Sequence, residues 1–199
     1  MRVRIYVEGG SQGGTINACR QAFSAFFGKL ISNKTFRVIP SGDRASAFEN
    51  FRLALHDHPD DYIILLVDSE EPVRLGAWQH LARRQEDQWI RPSVADDDQA
   101  HFMVQVMESW FLADKKVLAN YYGQGFLAGS LPRQPKIELI AKRDVFNALQ
   151  HASRRTQKGQ YHKTSHGFDL LALIDPERVR AASPHAERLL AMLERKTVG

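Results

Sequence analysis

The chain has 199 residues, of which 43% are hydrophobic and 25% charged, and its formal net charge is +4. This composition is typical of a soluble globular chain with one buried core. The absence of any apolar run of about 18 residues excludes a membrane-spanning helix. The single Cys19 excludes an internal disulfide, and no Cys/His set has zinc-ligand spacing. The chain begins with a strand pattern rather than a basic and then apolar leader, so we expect a cytoplasmic protein.

Strand and helix patterns alternate through the first 70 residues. Apolar runs predict strands at 3–7, 36–40 and 62–67, and periodic segments predict helices at 15–30 and 44–56. The third strand is uniformly apolar, which is typical of a central parallel strand covered on both faces. The βαβαβ order predicts an α/β fold with a Rossmann-like parallel sheet flanked by helices. Ligands of such sheets bind outside the carboxyl ends of the strands.

Acidic residues follow the first and third predicted strands. Glu8 stands in "YVEGG", and Asp68 and Glu70 stand in "LLVDSEEP". The two segments should meet at one edge of the sheet. Residues two apart on an extended segment face the same side, so Asp68 and Glu70 should converge while Ser69 faces away. Clustered carboxylates raise one another's pKa unless a cation lies between them. Oxygen ligands favour Mg²⁺ or Mn²⁺, so we predict a metal site at Glu8, Asp68 and Glu70.

The loop after Glu8 is rich in glycine. Gly9, Gly10 and Ser11 offer backbone with almost no side chain. Because glycine lets another group approach the backbone closely, we predict that this loop binds a phosphate.

A helix is predicted in "DDDQAHFMVQVMESWFLAD", residues 96–114. On it His101, Gln105 and Glu108 fall at i, i+4 and i+7 and form one polar stripe on an otherwise apolar helix. This pattern favours Glu108 as a residue that lines an internal site. The alternative is a polar face exposed to solvent.

Basic residues concentrate later in the chain. Residues 133–163 contain eight Lys or Arg against two acids, whereas residues 57–71 contain six acids and no Lys or Arg. We predict that a loop in "SRRTQKGQYHKTSHGF" folds back toward the acids and grips a nucleic-acid backbone, with Tyr161 available to stack on a base. The alternative is a solvated loop. The predicted phosphate-binding residues are Arg154, Arg155, Lys158, Lys163 and His166.

The remaining C-terminal part is predicted to be mainly helical. Gly123 and Gly125 end a helix near Tyr121, and Ser183 followed by Pro184 begins an amphipathic helix. We expect an α/β core at 1–115 and a helical extension at 116–199 that packs on it as one domain.

Several of these motifs resemble known families. A strand ending in Glu-Gly and a later strand ending in acid-x-acid resemble the Toprim domain of topoisomerases, primases and overcoming-lysogenization-defect nucleases. Together with "YYGQGF", "KGQYHK" and "IDPERVRAASPHAERLL", they resemble a bacterial family named only as a domain of unknown function, number four-two-seven-six. The resemblance implies that Glu8 is the first Toprim acid, that Asp68 and Glu70 form the second motif, and that Glu108 matches an acidic helix position. Toprim proteins usually have Asp where Glu70 stands.

Two functions remain open at this point. The first is a Mg²⁺- or Mn²⁺-dependent phosphodiesterase or nuclease of Toprim type, with Glu8, Asp68, Glu70 and Glu108 as catalytic residues. The resemblance implies a place in a bacterial anti-phage defence system with an ATPase partner. The alternative is a non-catalytic subunit that binds a nucleotide or nucleic acid in such a system. DNA, RNA, transfer RNA and free nucleotides all present phosphates, so the substrate stays open.

Overall fold

Four parallel strands form the centre of the molecule. A computed structural model describes residues 1–10 and 13–197. The strands are β1 (Val3–Val7), β2 (Phe36–Pro40), β3 (Tyr62–Asp68) and β4 (Ala100–Met103), and their order in the sheet is β2-β1-β3-β4. All three strand pairs are parallel, and every residue of β3 is buried. The predicted α/β fold with a parallel sheet is confirmed.

Helices cover the sheet and make up the C-terminal part. They are α1 (Gly13–Phe27), α2 (Arg44–Asp57), α3 (Ala77–Arg83), α4 (Lys115–Tyr122), α5 (Lys142–Ser153), α6 (Lys163–Leu173), α7 (Pro176–Ala182) and α8 (Pro184–Thr197). Short 3₁₀ helices occur at Asp97–Gln99, Met107–Ala113, Ala128–Ser130 and Ile137–Leu139. The helix predicted at 15–30 therefore begins two residues earlier and ends three residues earlier than expected. Within the described residues, no helix is long and apolar enough to cross a membrane.

Side chains from the two faces of the sheet enter two hydrophobic clusters. Ile5 belongs to the larger cluster, which includes Phe23 of α1, Leu170 of α6 and Leu189 of α8. The neighbouring Tyr6 belongs to the other cluster, on the side of α2 and α3. This alternation follows from the two-residue period of a strand. The C-terminal helices thus share a core with α1, on one face of the sheet.

The predicted helix at 96–114 is wrong. It contains two short 3₁₀ helices, Asp97–Gln99 and Met107–Ala113, and β4 lies between them. Residues Ala100–Met103 pair with Leu65–Asp68, so hydrogen bonding to the sheet overrides the helical period of the sequence. The polar stripe therefore does not exist, and its three residues have separate partners.

A smaller prediction is confirmed at the start of α8, and Cys19 is buried and free. Ser183 begins α8, because its hydroxyl accepts a hydrogen bond from the Ala186 N–H at 3.0 Å.

Candidate metal centre

Three carboxylates meet at the carboxyl edge of the sheet. One oxygen each from Glu8, Asp68 and Glu70 lies within 4.8 Å of the other two. The Glu8 N–H donates to the Leu66 carbonyl at 3.2 Å and so extends β1 alongside β3. Glu70 has a φ of 67°, and its N–H donates to the Gln105 carbonyl at 2.8 Å. The predicted convergence is therefore produced by a left-handed turn rather than by the alternation of an extended segment.

Asp68 is the most enclosed member of this group, at 3% exposure. Its Oδ1 accepts a hydrogen bond from the Met107 N–H at 2.8 Å, and its Oδ2 lies 3.9 Å from Lys163 Nζ. Burial raises the pKa of Asp68 well above its ordinary value, and the neighbouring Glu8 carboxylate raises it further, while Lys163 acts in the opposite direction. Burial also raises the pKa of Glu8. Burial, and then proximity to other carboxylates, therefore destabilises the charge on Asp68.

Glu108 lies beside Asp68 and is fully buried. Its Oε1 accepts a hydrogen bond from the Tyr161 hydroxyl at 2.9 Å and lies 3.9 Å from Lys163 Nζ. Its Oε2 has no hydrogen-bond partner among the described residues. A buried carboxylate oxygen without a hydrogen-bond donor is energetically costly.

Three cations that surround the carboxylates partly balance their charge. Arg44, at the start of α2, donates from Nη1 to the Asp68 carbonyl and lies 3.4 Å from Glu8 Oε2. Its other nitrogens bind Asp87 in a bidentate pair at 2.8 and 2.7 Å. Asp87 holds the guanidinium in place, so Arg44 both positions Glu8 and balances part of its charge.

Lys142 and Lys163 are the other two cations. Lys142, at the start of α5, donates to Glu70 Oε2. Desolvation lowers the pKa of Lys163, but the charges of Glu108 and other nearby carboxylates outweigh it and raise that pKa above its ordinary value. Lys163 therefore stays protonated beside the acids.

Sequence reasoning missed Arg44 and Lys142. The position of Arg44, four residues beyond β2 at the same edge of the sheet, was a usable signal. Lys142 gave none, because it follows a long irregular segment.

A cavity of about 230 Å³ opens beside the carboxylates. Its lining residues are Glu8, Gly9, Gly10, Thr15, Gly42, Asp68, Met103, Met107, Lys163, Thr164 and Phe168. Gly10 has a φ of 69°, and a Cβ there would lie 3.0 Å from the Ile16 Cα, so only glycine fits this turn. Gly9 and Gly10 thus form part of the wall, while Ser11 lies outside the described residues.

The predicted basic residues divide between two places. Only Lys163 lies at the acids, and it is the first residue of α6 rather than part of a loop. Arg155 and Lys158 line a second cavity, and Arg154 lines neither. His166 Nδ1 lies 3.1 Å from the Tyr122 hydroxyl. The expectation that the whole basic segment folds back onto the acids is therefore wrong.

Tyr161 does not have its predicted role. It is 2% exposed, and its hydroxyl is directed to Glu108. A side chain so enclosed is unavailable to stack on a base, and its part in the site is to hold Glu108.

The fold and the site together define an α/β protein with an acidic centre at the carboxyl edge of a parallel sheet. The chain belongs to the family described as a domain of unknown function (DUF4276), whose model matches residues 7–194. The matched segment includes Glu8, Asp68, Glu70 and Glu108. No curated protein and no solved structure matches the chain.

Proposed function

We propose that this protein is a divalent-metal-dependent phosphodiesterase of Toprim type that cleaves nucleic acid. The observation that carries the proposal is the convergence of three carboxylate oxygens within 4.8 Å, next to the orphaned Oε2 of buried Glu108. Exposed acids often cluster without a ligand. The buried Oε2 of Glu108, which has no hydrogen-bond donor among the residues that the structure describes, would be stabilised by a bound cation.

The donor set fits a hard cation. Glu8, Asp68 and Glu70 offer only oxygen atoms, with Glu108 as a further ligand or as the partner of a metal-bound water, and such sets select Mg²⁺ or Mn²⁺ over softer metals. When bound, the metal would activate a water for attack on phosphorus and neutralise charge on the leaving oxygen.

The surrounding groups suit a phosphate-bearing substrate. The Met107 N–H fixes the orientation of Asp68, and Arg44 restrains Glu8. Lys163 has a side chain that is 58% exposed, so its ammonium reaches both the acids and the open cavity. It is the residue that we expect to bind a phosphate oxygen as the substrate approaches.

A non-catalytic binding subunit is the second candidate. Lys142 pairs with Glu70 and Arg44 with Glu8, so part of the negative charge is balanced within the protein itself. This pairing favours a site that binds a nucleotide or nucleic acid around a structural cation without turnover. A place in bacterial defence and an ATPase partner stay predictions. We also propose a cytoplasmic location, which a single buried free cysteine supports.

Cleavage assays separate the two candidates. The purified protein is incubated with single- and double-stranded DNA and RNA in Mg²⁺, Mn²⁺ or chelator. We expect metal-dependent cutting that falls to background in Asp68→Ala, because that change removes the central ligand. The matched control is Glu86→Ala, since Glu86 is an exposed acid with a side chain that is 72% exposed. Metal binding without cleavage of any substrate would support the non-catalytic subunit instead.

A further inference from the structure

A second cavity lies between the end of α4 and the segment that joins α5 to α6. Its volume is about 730 Å³, within the range of roughly 300–1,000 Å³ typical of small-ligand sites. Its lining residues are Tyr121, Tyr122, Gly123, Gln124, Gly125, Arg155, Gln157 and Lys158. The two walls are in close contact, because a Cβ at Gly125 would lie 2.4 Å from the Arg155 carbonyl oxygen. The cavity is therefore built by two segments that hold each other in place.

The charge of this second cavity is positive. Arg155 and Lys158 are exposed, and within the described part of the chain neither has a carboxylate within ion-pair distance. None of the residues that line the cavity is acidic. Two unpaired cations in a concave polar wall suit a multiply charged anion such as a phosphate backbone.

The wall also offers an aromatic face. Lys158 Nζ lies 4.6 Å from the centre of the Tyr121 ring, and the Tyr121 hydroxyl donates to Asp169 at 2.9 Å. Tyr122 stacks on Phe126 with ring centres 5.3 Å apart. The Tyr121 ring is thus held in place with the Lys158 ammonium over it, and a base can take the place of that ammonium by stacking.

Helix α6 separates this cavity from the metal centre. Lys163, Thr164 and Phe168 line the acidic cavity. From the same helix, His166 contacts Tyr122 and Asp169 contacts Tyr121. The first two turns of α6 thus have one cavity on each side, and a chain of linked nucleotides is a ligand that extends from one to the other.

We propose that the second cavity binds a single-stranded segment of the nucleic acid whose phosphodiester lies at the metal centre. Arg155 and Lys158 contact its phosphates, and Tyr121 stacks on one of its bases. Bases in a duplex are already stacked on each other, so a ring in a concave wall favours a single strand. This inference rests on the proposed function for its link to the metal centre, but the binding itself needs no metal.

The test is oligonucleotide binding in chelator, where cleavage plays no part. Fluorescence anisotropy with labelled single-stranded DNA and RNA is measured over a salt series for the parent and for Arg155→Glu/Lys158→Glu. We expect binding to weaken by about tenfold or more and the salt slope to flatten by about 1.4, since each phosphate contact on a single strand contributes about 0.7. The control Lys34→Glu/Arg37→Glu makes the same charge change at the amino end of β2, and we expect binding close to that of the parent.

A second pair of variants tests the aromatic contact. Tyr121→Ala should weaken binding about fivefold or more, whereas Tyr121→Phe keeps the ring and should bind like the parent. Melting curves identify any variant that is unfolded, and the charge-reversal pair then carries the test. Equal losses in the two double variants, or an absence of strand binding by the parent, would overturn the proposal. So would binding of a free mononucleotide that depends on Arg155 and Lys158 when the oligonucleotide does not bind. Failure of the proposed function would give a different result. The strand would still bind in chelator, but no cleavage would be observed with Mg²⁺ or Mn²⁺.

Discussion

Two carboxylates in this molecule, partly buried Glu138 and buried Asp68, have opposite electrostatic environments. Glu138 accepts hydrogen bonds from the Ser183 hydroxyl and, at 3.0 Å, from the His185 N–H, and its other oxygen lies 2.9 Å from His185 Nδ1. Burial raises the pKa of Glu138, but these hydrogen bonds outweigh it and hold that pKa below its ordinary value.

Asp68 has one backbone donor and carboxylate neighbours, and its pKa is raised. The comparison teaches that burial alone does not decide whether a carboxylate is stable as an anion. Donors stabilise Glu138 as part of the structure, whereas the neighbours of Asp68 leave a negative charge that a cation would relieve.

The largest effect on stability is expected at Glu138. Glu138→Ala removes the acceptor of a partly buried hydrogen-bond network at the start of α8, and should lower the free energy of unfolding by about 2–4 kcal/mol. Glu138→Gln keeps one carbonyl acceptor and should lose less. Chemical denaturation measures both. A Glu138→Ala protein as stable as the parent would show that the network contributes nothing to the fold.

Metal binding should depend on Asp68 and not on Glu138. Mg²⁺ or Mn²⁺ at about 100 times its dissociation constant should add about 2.7 kcal/mol to the free energy of unfolding of the parent. Asp68→Ala should lose this increase, and Glu138→Gln should keep it. Thermal melts over a metal titration make the measurement. A parent with no metal-dependent shift at millimolar concentration would refute the metal centre.

In chelator, Asp68→Asn should have the opposite sign to Glu138→Ala. The amide oxygen still accepts from the Met107 N–H, while the repulsion from Glu8 and its neighbours disappears. We expect the free energy of unfolding to rise by roughly 1 kcal/mol. A clear decrease would mean that Asp68 belongs to a structural network like that of Glu138.

The smallest effect concerns pH, again in chelator. The folded-state pKa of Asp68 lies above its ordinary value of 3.8. The contribution of Asp68 to the free energy of unfolding is therefore greatest below pH 3.8 and is lost as pH rises through the raised pKa. The pKa of Glu138 lies below its ordinary 4.5, so its contribution is present above 4.5 and is lost as pH falls through the lowered pKa.

Two stability differences isolate these contributions. The difference between the parent and Asp68→Asn should fall with rising pH, and the difference between the parent and Glu138→Gln should rise, when unfolding is measured from about pH 3 to about pH 8. Subtraction removes shared groups such as buried His101, whose pKa burial lowers to about 3. If the two stability differences changed with pH in the same direction, the contrast between the raised pKa of Asp68 and the lowered pKa of Glu138 would be contradicted.

The sequence by itself determined the parallel arrangement of β1, β2 and β3 and the meeting of Glu8 and Asp68 at one edge of the sheet. These follow from strand periods and from the rule that parallel strands end at a common edge, both of which are local or topological. The start of α8 at Ser183 and Pro184 was determined in the same way, because capping depends on neighbouring residues.

Tertiary structure alone decided the rest. The 100–103 segment has an apolar pattern compatible with helix or strand, and the open edge of β3 made it a strand. Arg44 and Lys142 reached the acids because distant elements place their first residues at one edge of the sheet. Tyr161 turned inward to Glu108, and Arg155 and Lys158 were carried to the far side of α6. Charge counts along a chain give no direction in space, so the destination of each basic residue depends on how the helices pack.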